Sequence, residues 1–241
     1  MIPARYGSTR FPGKPLVSLA GKPLIQWVIE GARTSQKLTE IIVATDHDGI
    51  AKAARDVGCR AVMTDSNLPS GSDRIYQAIK DLDCDVVINI QGDEPLINKS
   101  WIDPVVDVFT KDPKALMATM AHPLSEEDFN SPNSVKVILD ENSDAIYFSR
   151  FQIPFSKEKP SSFPTTDVLK HVGIYGYRKS FLKDFCSHKV THLERAESLE
   201  QLRALAMGAK IRVVPTTHAT MGVDTPEDLI KVEKIIQEMR K

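Results

Sequence analysis

With 241 residues, 41% of them hydrophobic and 26% charged, the chain can bury a sizeable core, as one α/β domain or as one domain with an added lobe. A formal net charge of −1 excludes a global pull toward nucleic acid or an acidic membrane, so any anion site must be local. Three scattered cysteines (Cys59, Cys84 and Cys186) lack metal-ligand spacing, and no apolar run approaches the roughly 20 residues of a membrane span. The start of the chain has no signal-peptide pattern, so the expected location is the cytoplasm.

In chain order, Leu24, Ile25, Val28, Ile29 and Ala32 recur at helical spacing and predict an amphipathic helix. Residues 41–45 (IIVAT), 61–64 (AVMT) and 86–90 (VVINI) are nearly continuous apolar runs, the pattern of strands covered on both faces. Helical patterns at 50–57 and 75–82 lie between them. This alternation predicts a doubly wound, mostly parallel α/β sheet. After residue 113 the pattern changes. Strand-like runs at 116–120, 135–139, 145–148 and 172–177 follow with little helix between them, predicting a smaller mixed or antiparallel extension. A Pro- and Ser-rich loop is expected at 154–166, free to close on a ligand or to remain in solvent. A single helix over 194–207, a strand at 211–214 and a last helix with Leu229, Val232, Ile235, Ile236 and Met239 on one face complete the chain. Thr225, Pro226, Glu227 and Asp228 suit the start of that helix.

Several segments invite a chemical reading. The first 29 residues hold four cations, Arg5, Arg10, Lys14 and Lys22, and no acid. Glycines among such cations let main-chain amides and positive charge approach a polyphosphate. A solvated basic loop has the same composition, and neither a Walker A loop nor a dinucleotide G-x-G-x-x-G is present. Ser70-Gly71-Ser72-Asp73-Arg74 is either a plain helix cap or a pocket of free amides. Gln91-Gly92-Asp93-Glu94-Pro95 directly follows a predicted strand, where ligands of open α/β sheets bind. Asp93 is there either a turn acid or an Mg²⁺ ligand. Asp224 precedes the last helix and either helps cap it or offers a second carboxylate. An acidic substrate would need a cation and polar donors. Arg150 and the segment His171-Val172-Gly173-Ile174-Tyr175 are candidates, although a lone histidine beside a strand is usually structural.

Taken together, PARYGSTRFPGKPL, SGSDR, QGDEP, YFSR, HVGIYGYR, EQLR and GVDTPED resemble, in order, the motifs of the 3-deoxy-manno-octulosonate cytidylyltransferases. The matches span residues 3 to 228. The resemblance implies a nucleotide-diphospho-sugar transferase-like fold in one domain. Within it, 1–113 would mainly bind CTP, 114–221 would mainly bind the sugar and form a dimer contact, and 222–241 would carry a metal-ligand loop and the last helix. It implies phosphate roles for Arg5, Arg10 and Lys14, with Pro3 and Ala4 near the base. Ser70, Gly71 and Arg74 are implied to read the base. Gln91, Arg150, His171, Tyr175, Glu200 and Gln201 are implied on the sugar, and Asp93 with Asp224 on Mg²⁺. Family members usually start with a full apolar strand. Here only Met1 and Ile2 precede Pro3, so a shortened first strand is expected, leaving its neighbours short of ladder partners.

The implied reaction joins CTP to 3-deoxy-manno-octulosonate, releasing pyrophosphate, for lipopolysaccharide synthesis. A homodimer that binds neither nucleic acid nor membrane is expected. No side-chain general base stands out. The rivals are the same chemistry on an amino-substituted octulosonate or a sialic acid, an inert nucleotide-binding relative, and an NAD-dependent oxidoreductase, which would lack its glycine fingerprint.

Overall fold

The computed structural model describes residues 1–7, 11–155, 157, 168–217 and 221–239. The chain forms two compact units, one of Met1–Val106 with Thr220–Lys241, the other of Asp107–Ala219. The first unit runs β1 (Ile2–Ala4), a 3-10 turn at Lys14–Leu16, a small hairpin of β2 (Ser18–Leu19) and β3 (Lys22–Pro23), α1 (Leu24–Ala32), β4 (Ile42–Thr45), α2 (Asp48–Asp56), β5 (Arg60–Met63), α3 (Gly71–Ile79), β6 (Val86–Asn89) and the first part of α4 (Lys99–Lys111). β1, β4 and β5 pair in parallel in that order. Main-chain bonds from Met1 N to Ile88 O (2.8 Å) and from Ile90 N to Met1 O (2.9 Å) set β6 on the other side of β1.

β1 is three residues long. It pairs Ile2, Pro3 and Ala4 with Val43, Ala44 and Thr45, so among β4 residues only Ile42 falls outside its register. Ile42 still pairs with Arg60 of β5. On the β4 side the expected shortage of ladder partners is confined to that one position. The stripe on α1 is buried as its period predicts: Leu24, Ile25, Val28, Ile29 and Ala32 are inaccessible. Each large member contributes about 1.5–3 kcal/mol of transfer free energy.

The second unit contains β7 (Met117–Pro123), α5 (Glu126–Asn130), β8 (Lys136–Leu139), β9 (Ala145–Ser149), β10 (Val168–Arg178), α6 (Lys179–Ser187), α7 (His192–Glu197), α8 (Gln201–Ala206) and β11 (Ile211–Pro215). Its strands lie in the order β11-β7-β10-β8-β9, antiparallel except for the parallel β11–β7 pair. The mixed extension expected after residue 113 is of this kind.

The chain re-enters the first unit with α9 (Pro226–Met239). Val232 and Ile236 are buried, but Met239, expected on the same face, is 75% exposed. A second correction concerns 194–207. The single helix expected there is two, because Ser198 adopts φ 52° and turns the chain between α7 and α8. Thr191 and Glu194 close a reciprocal capping box at the start of α7. Arg10 and nearly all of the 154–166 loop lie outside the described residues.

Candidate active site

Loops at the carboxyl ends of β1 and β6 and the start of α3 line a cavity of about 290 Å³ in the first unit. Pro3, Ala4 and Arg5 leave β1 along one wall, and Ser70, Gly71 and Arg74 come from α3. Gln91, Gly92 and Asp93 follow β6, and Lys14 and Asp224 complete the lining. Ten sequence-predicted residues therefore meet here: Pro3, Ala4, Arg5, Lys14, Ser70, Gly71, Arg74, Gln91, Asp93 and Asp224. Gln91, expected on the sugar side, lines this cavity and donates to Asn89 Oδ1 at 3.3 Å.

Close packing builds the loop after β6. A Cβ at Gly92 would lie 2.8 Å from the Pro3 carbonyl oxygen, so only glycine lets this loop approach β1. Val223 N donates to Asp93 O at 2.8 Å and fastens the loop before α9 to the loop after β6. Asp228 Oδ2 accepts from the amides of Asp224 and Thr225, so Asp228 serves the helix start. The Asp224 carboxylate instead faces Lys14. Lys14 Nζ donates to Asp93 Oδ2 at 2.7 Å and to Asp224 Oδ1 at 3.2 Å. One ammonium offsets the repulsion of two carboxylates that come from segments far apart in the chain. Lys22, by contrast, pairs with Glu30 and lies over the Trp27 ring, at 3.7 Å from its centroid.

Asp93 and Asp224 offer the hard carboxylate oxygens that Mg²⁺ prefers. Among the described residues no group of three or more His, Cys, Asp or Glu forms a metal cluster. Two carboxylates fit an ion that takes the rest of its shell from phosphate and water.

The α3 end of the cavity rests on Asp46, which sequence patterning missed. Arg74 is almost fully buried and donates to Asp46 Oδ2 at 3.0 Å and to Thr64 Oγ1 at 2.5 Å. Asp46 Oδ1 accepts from Tyr6 N at 3.1 Å. Asp46 thus joins α3 to the loop after β1. His47 caps α2 by accepting from Gly49 N, and its ring stacks on Tyr6 with centroids 4.0 Å apart. Ser70 accepts from Asp73 N and is the N-cap of α3.

The remaining candidates belong to the second unit. On β10 the register with β7 slips between Val172 and Tyr175, so that His171 faces Ala121 and Tyr175 faces Thr119. Gly173 and Ile174 are absorbed in the bulge. His171 and Tyr175 then stand as residues two apart would in a regular strand. Their ring centroids are 5.3 Å apart, and Phe148 packs edge-on to His171. The buried Thr119 hydroxyl lies 3.0 Å from His171 Nε2 and 2.7 Å from Ile174 O. A hydroxyl has one proton, and the shorter contact takes it. His171 Nε2–H is then the donor to Thr119, and Nδ1 keeps its lone pair. Desolvation holds the His171 imidazole down to about 3, so it is neutral at physiological pH. Tyr175 is raised far above the ordinary phenol range, by desolvation first and by the charge of Glu200 second.

Arg150 follows β9. Its Nε donates to Glu197 O at 2.9 Å and one terminal nitrogen to Pro132 O at 3.1 Å. Glu200 lies 3.8 Å from Arg203. Gln201 is buried, and among the described residues its Nε2 finds no acceptor. A buried amide donor without a partner costs about 1–3 kcal/mol, which a ligand oxygen would recover.

The family model for cytidylyltransferases matches residues 1–211. A 3-deoxy-manno-octulosonate cytidylyltransferase of Bdellovibrio bacteriovorus is 57% identical over 237 residues, 98% of this chain and 96% of that protein. A solved structure of CMP:2-keto-3-deoxy-manno-octonic acid synthetase complexed with CTP is 40% identical. It superposes with a TM-score of 0.92 over 99% of this chain and 97% of its own. A 4-diphosphocytidyl-2C-methyl-D-erythritol synthase from Anaerococcus prevotii, 14% identical, covers 98% of this chain and 97% of its own and has a TM-score of 0.64, a likeness of fold alone.

Proposed function

The chain belongs to the 3-deoxy-manno-octulosonate cytidylyltransferase family, and from that premise we propose that it transfers the CMP group of CTP to 3-deoxy-manno-octulosonate, releasing pyrophosphate. The observation that carries the reading at residue level is the convergence of Lys14, Asp93 and Asp224 at the cavity lined by Pro3, Ala4, Ser70 and Gly71. A nucleoside triphosphate needs this combination of a base-sized wall, cations and carboxylates.

The sugar's anomeric hydroxyl attacks the α-phosphorus. A new oxygen–phosphorus bond forms, the bond to the β-phosphate oxygen breaks, and the hydroxyl proton passes to solvent. Lys14 and Arg5 neutralise the triphosphate and the departing pyrophosphate, and Arg10 joins them in this assignment. Pro3, Ala4, Ser70 and Gly71 hold the base, with Arg74 and Asp46 keeping the α3 wall in place. Asp93 and Asp224 would hold Mg²⁺, which would supply charge for the phosphates and lower the pKa of the attacking hydroxyl. Arg150 provides the cation for the sugar carboxylate, because His171 is neutral at physiological pH. His171 Nδ1 and Tyr175 meet sugar hydroxyls, and Glu200, Gln201 and Gln91 complete the polar contacts. The orphaned Gln201 amide supports a ligand oxygen at that position.

Among the described residues no helix is long and apolar enough to cross a membrane. We place the enzyme in the cytoplasm as a homodimer, with the exposed Ile146 and Phe151 of the second unit in its contact. Its product would serve lipopolysaccharide synthesis. Pyrophosphate release with CTP and Mg²⁺ tests the reading when 3-deoxy-manno-octulosonate, its amino-substituted analogue and a sialic acid are compared. Preference for the first supports it, and turnover of another acidic sugar alone overturns the sugar assignment.

A further inference from the structure

We propose that Glu197 is a positioning residue for the acidic-sugar site, fixing Arg150 at the end of β9 against the α7–α8 turn that carries Glu200 and Gln201. The inference rests on the assignment of those three residues to the sugar.

β9 ends at Ser149, so the ladder no longer holds the main chain at Arg150. Charged side chains take over. Arg150 N donates to Glu197 Oε2 at 2.9 Å, and Arg150 O accepts from the fully buried Lys136 Nζ at 2.8 Å. The main chain of Arg150 is thus held on one side by a carboxylate and on the other by an ammonium. Lys136 Nζ also donates to Ser131 O and Ser134 O. The same ammonium therefore shapes the turn whose Pro132 carbonyl accepts from the Arg150 guanidinium.

Glu197 gathers further donors from the same stretch. Ser149 Oγ donates to Glu197 Oε1 at 2.6 Å, and Arg150 Nε donates to the Glu197 carbonyl. One residue therefore receives hydrogen bonds from Ser149 and Arg150, with Arg150 bonded through both main chain and side chain. Ser198 then turns the chain through φ 52°, and Glu200 and Gln201 follow directly. A shift of Glu197 would separate Arg150 from Glu200 and Gln201. Glu197 would touch no substrate and would act through the geometry of residues that do.

The test is steady-state kinetics of Glu197→Gln with CTP and 3-deoxy-manno-octulosonate, each varied at saturation of the other. Glutamine keeps the shape but replaces one accepting oxygen with a donor. The expected result is a KM for the sugar raised about tenfold, with the KM for CTP within about twofold of wild type. Glu197→Asp, which keeps both acceptors on a shorter arm, should recover part of the loss. An unchanged sugar KM in a folded variant overturns the inference, as does an equal loss toward both substrates. If Glu197→Gln does not fold, Ser149→Ala reads the same split, and an unchanged sugar KM in that variant overturns the inference. Wild-type protein that releases no pyrophosphate with this sugar overturns the functional reading and the inference with it, a result distinct from the other outcomes.

Discussion

His171 is held neutral in the folded protein, with its pKa lowered to about 3, whereas in the unfolded chain it titrates near the ordinary 6.5. Below pH 6.5 the unfolded chain binds a proton that the folded one does not, so stability rises with pH across the interval from about 3 to about 6.5. The contribution is complete above 6.5 and is lost progressively as pH falls. Worked through this linkage, His171 alone removes about 2 kcal/mol between pH 7.5 and pH 5. His171→Gln isolates it. Glutamine retains an N–H for Thr119 Oγ1 and does not titrate, and every other histidine is common to both proteins. Urea unfolding at the two pH values should show wild type losing about 2 kcal/mol more than the variant. An equal loss in both proteins would refute the neutral imidazole. The wild-type KM for the sugar should likewise show no inflection near 6.5, which separates His171 from Arg150 as the partner of the carboxylate.

Arg74→Met leaves the largely buried Asp46 carboxylate without its guanidinium and should cost about 3–5 kcal/mol of stability in urea unfolding. Adding Asp46→Asn should recover part of it, and strict additivity would contradict the coupling. Gly92→Ala places a methyl carbon 2.8 Å from Pro3 O. It should destabilise by about 1–3 kcal/mol and reduce turnover by displacing Asp93, whereas wild-type turnover would show that the two loops can separate freely. Ile146→Glu with Phe151→Glu should shift sedimentation toward a monomer, and an unchanged dimer would move the contact elsewhere.

The parallel strands and α1 were legible because their apolar periods survive every neighbouring influence. α4 was not, because Pro104 sits inside it and reads as a breaker. Asn98 caps that helix by accepting from Ser100 N, so the helix forms around the proline. The break between α7 and α8 left no mark, since serine rarely adopts the left-handed conformation found at Ser198. The cavity residues that lie in contiguous motifs could be picked out, because glycine, cations and acids cluster there along the chain. Asp46 and Glu197 could not. Their partners lie 28 and 47 residues away, and a single carboxylate in sequence gives no sign of the arginine it will meet. The bulge that brings His171 beside Tyr175 had only Gly173 as a hint.

The central claim is that Asp93 and Asp224 act together on CTP. The most direct measurement is pyrophosphate release from CTP, ATP, GTP and UTP with 3-deoxy-manno-octulosonate and Mg²⁺, for wild type, Asp93→Asn and Asp224→Asn. Preference for CTP and a fall of at least about a hundredfold in each folded variant are expected. Release that persists in either variant, or that is indifferent to the base, would contradict the claim.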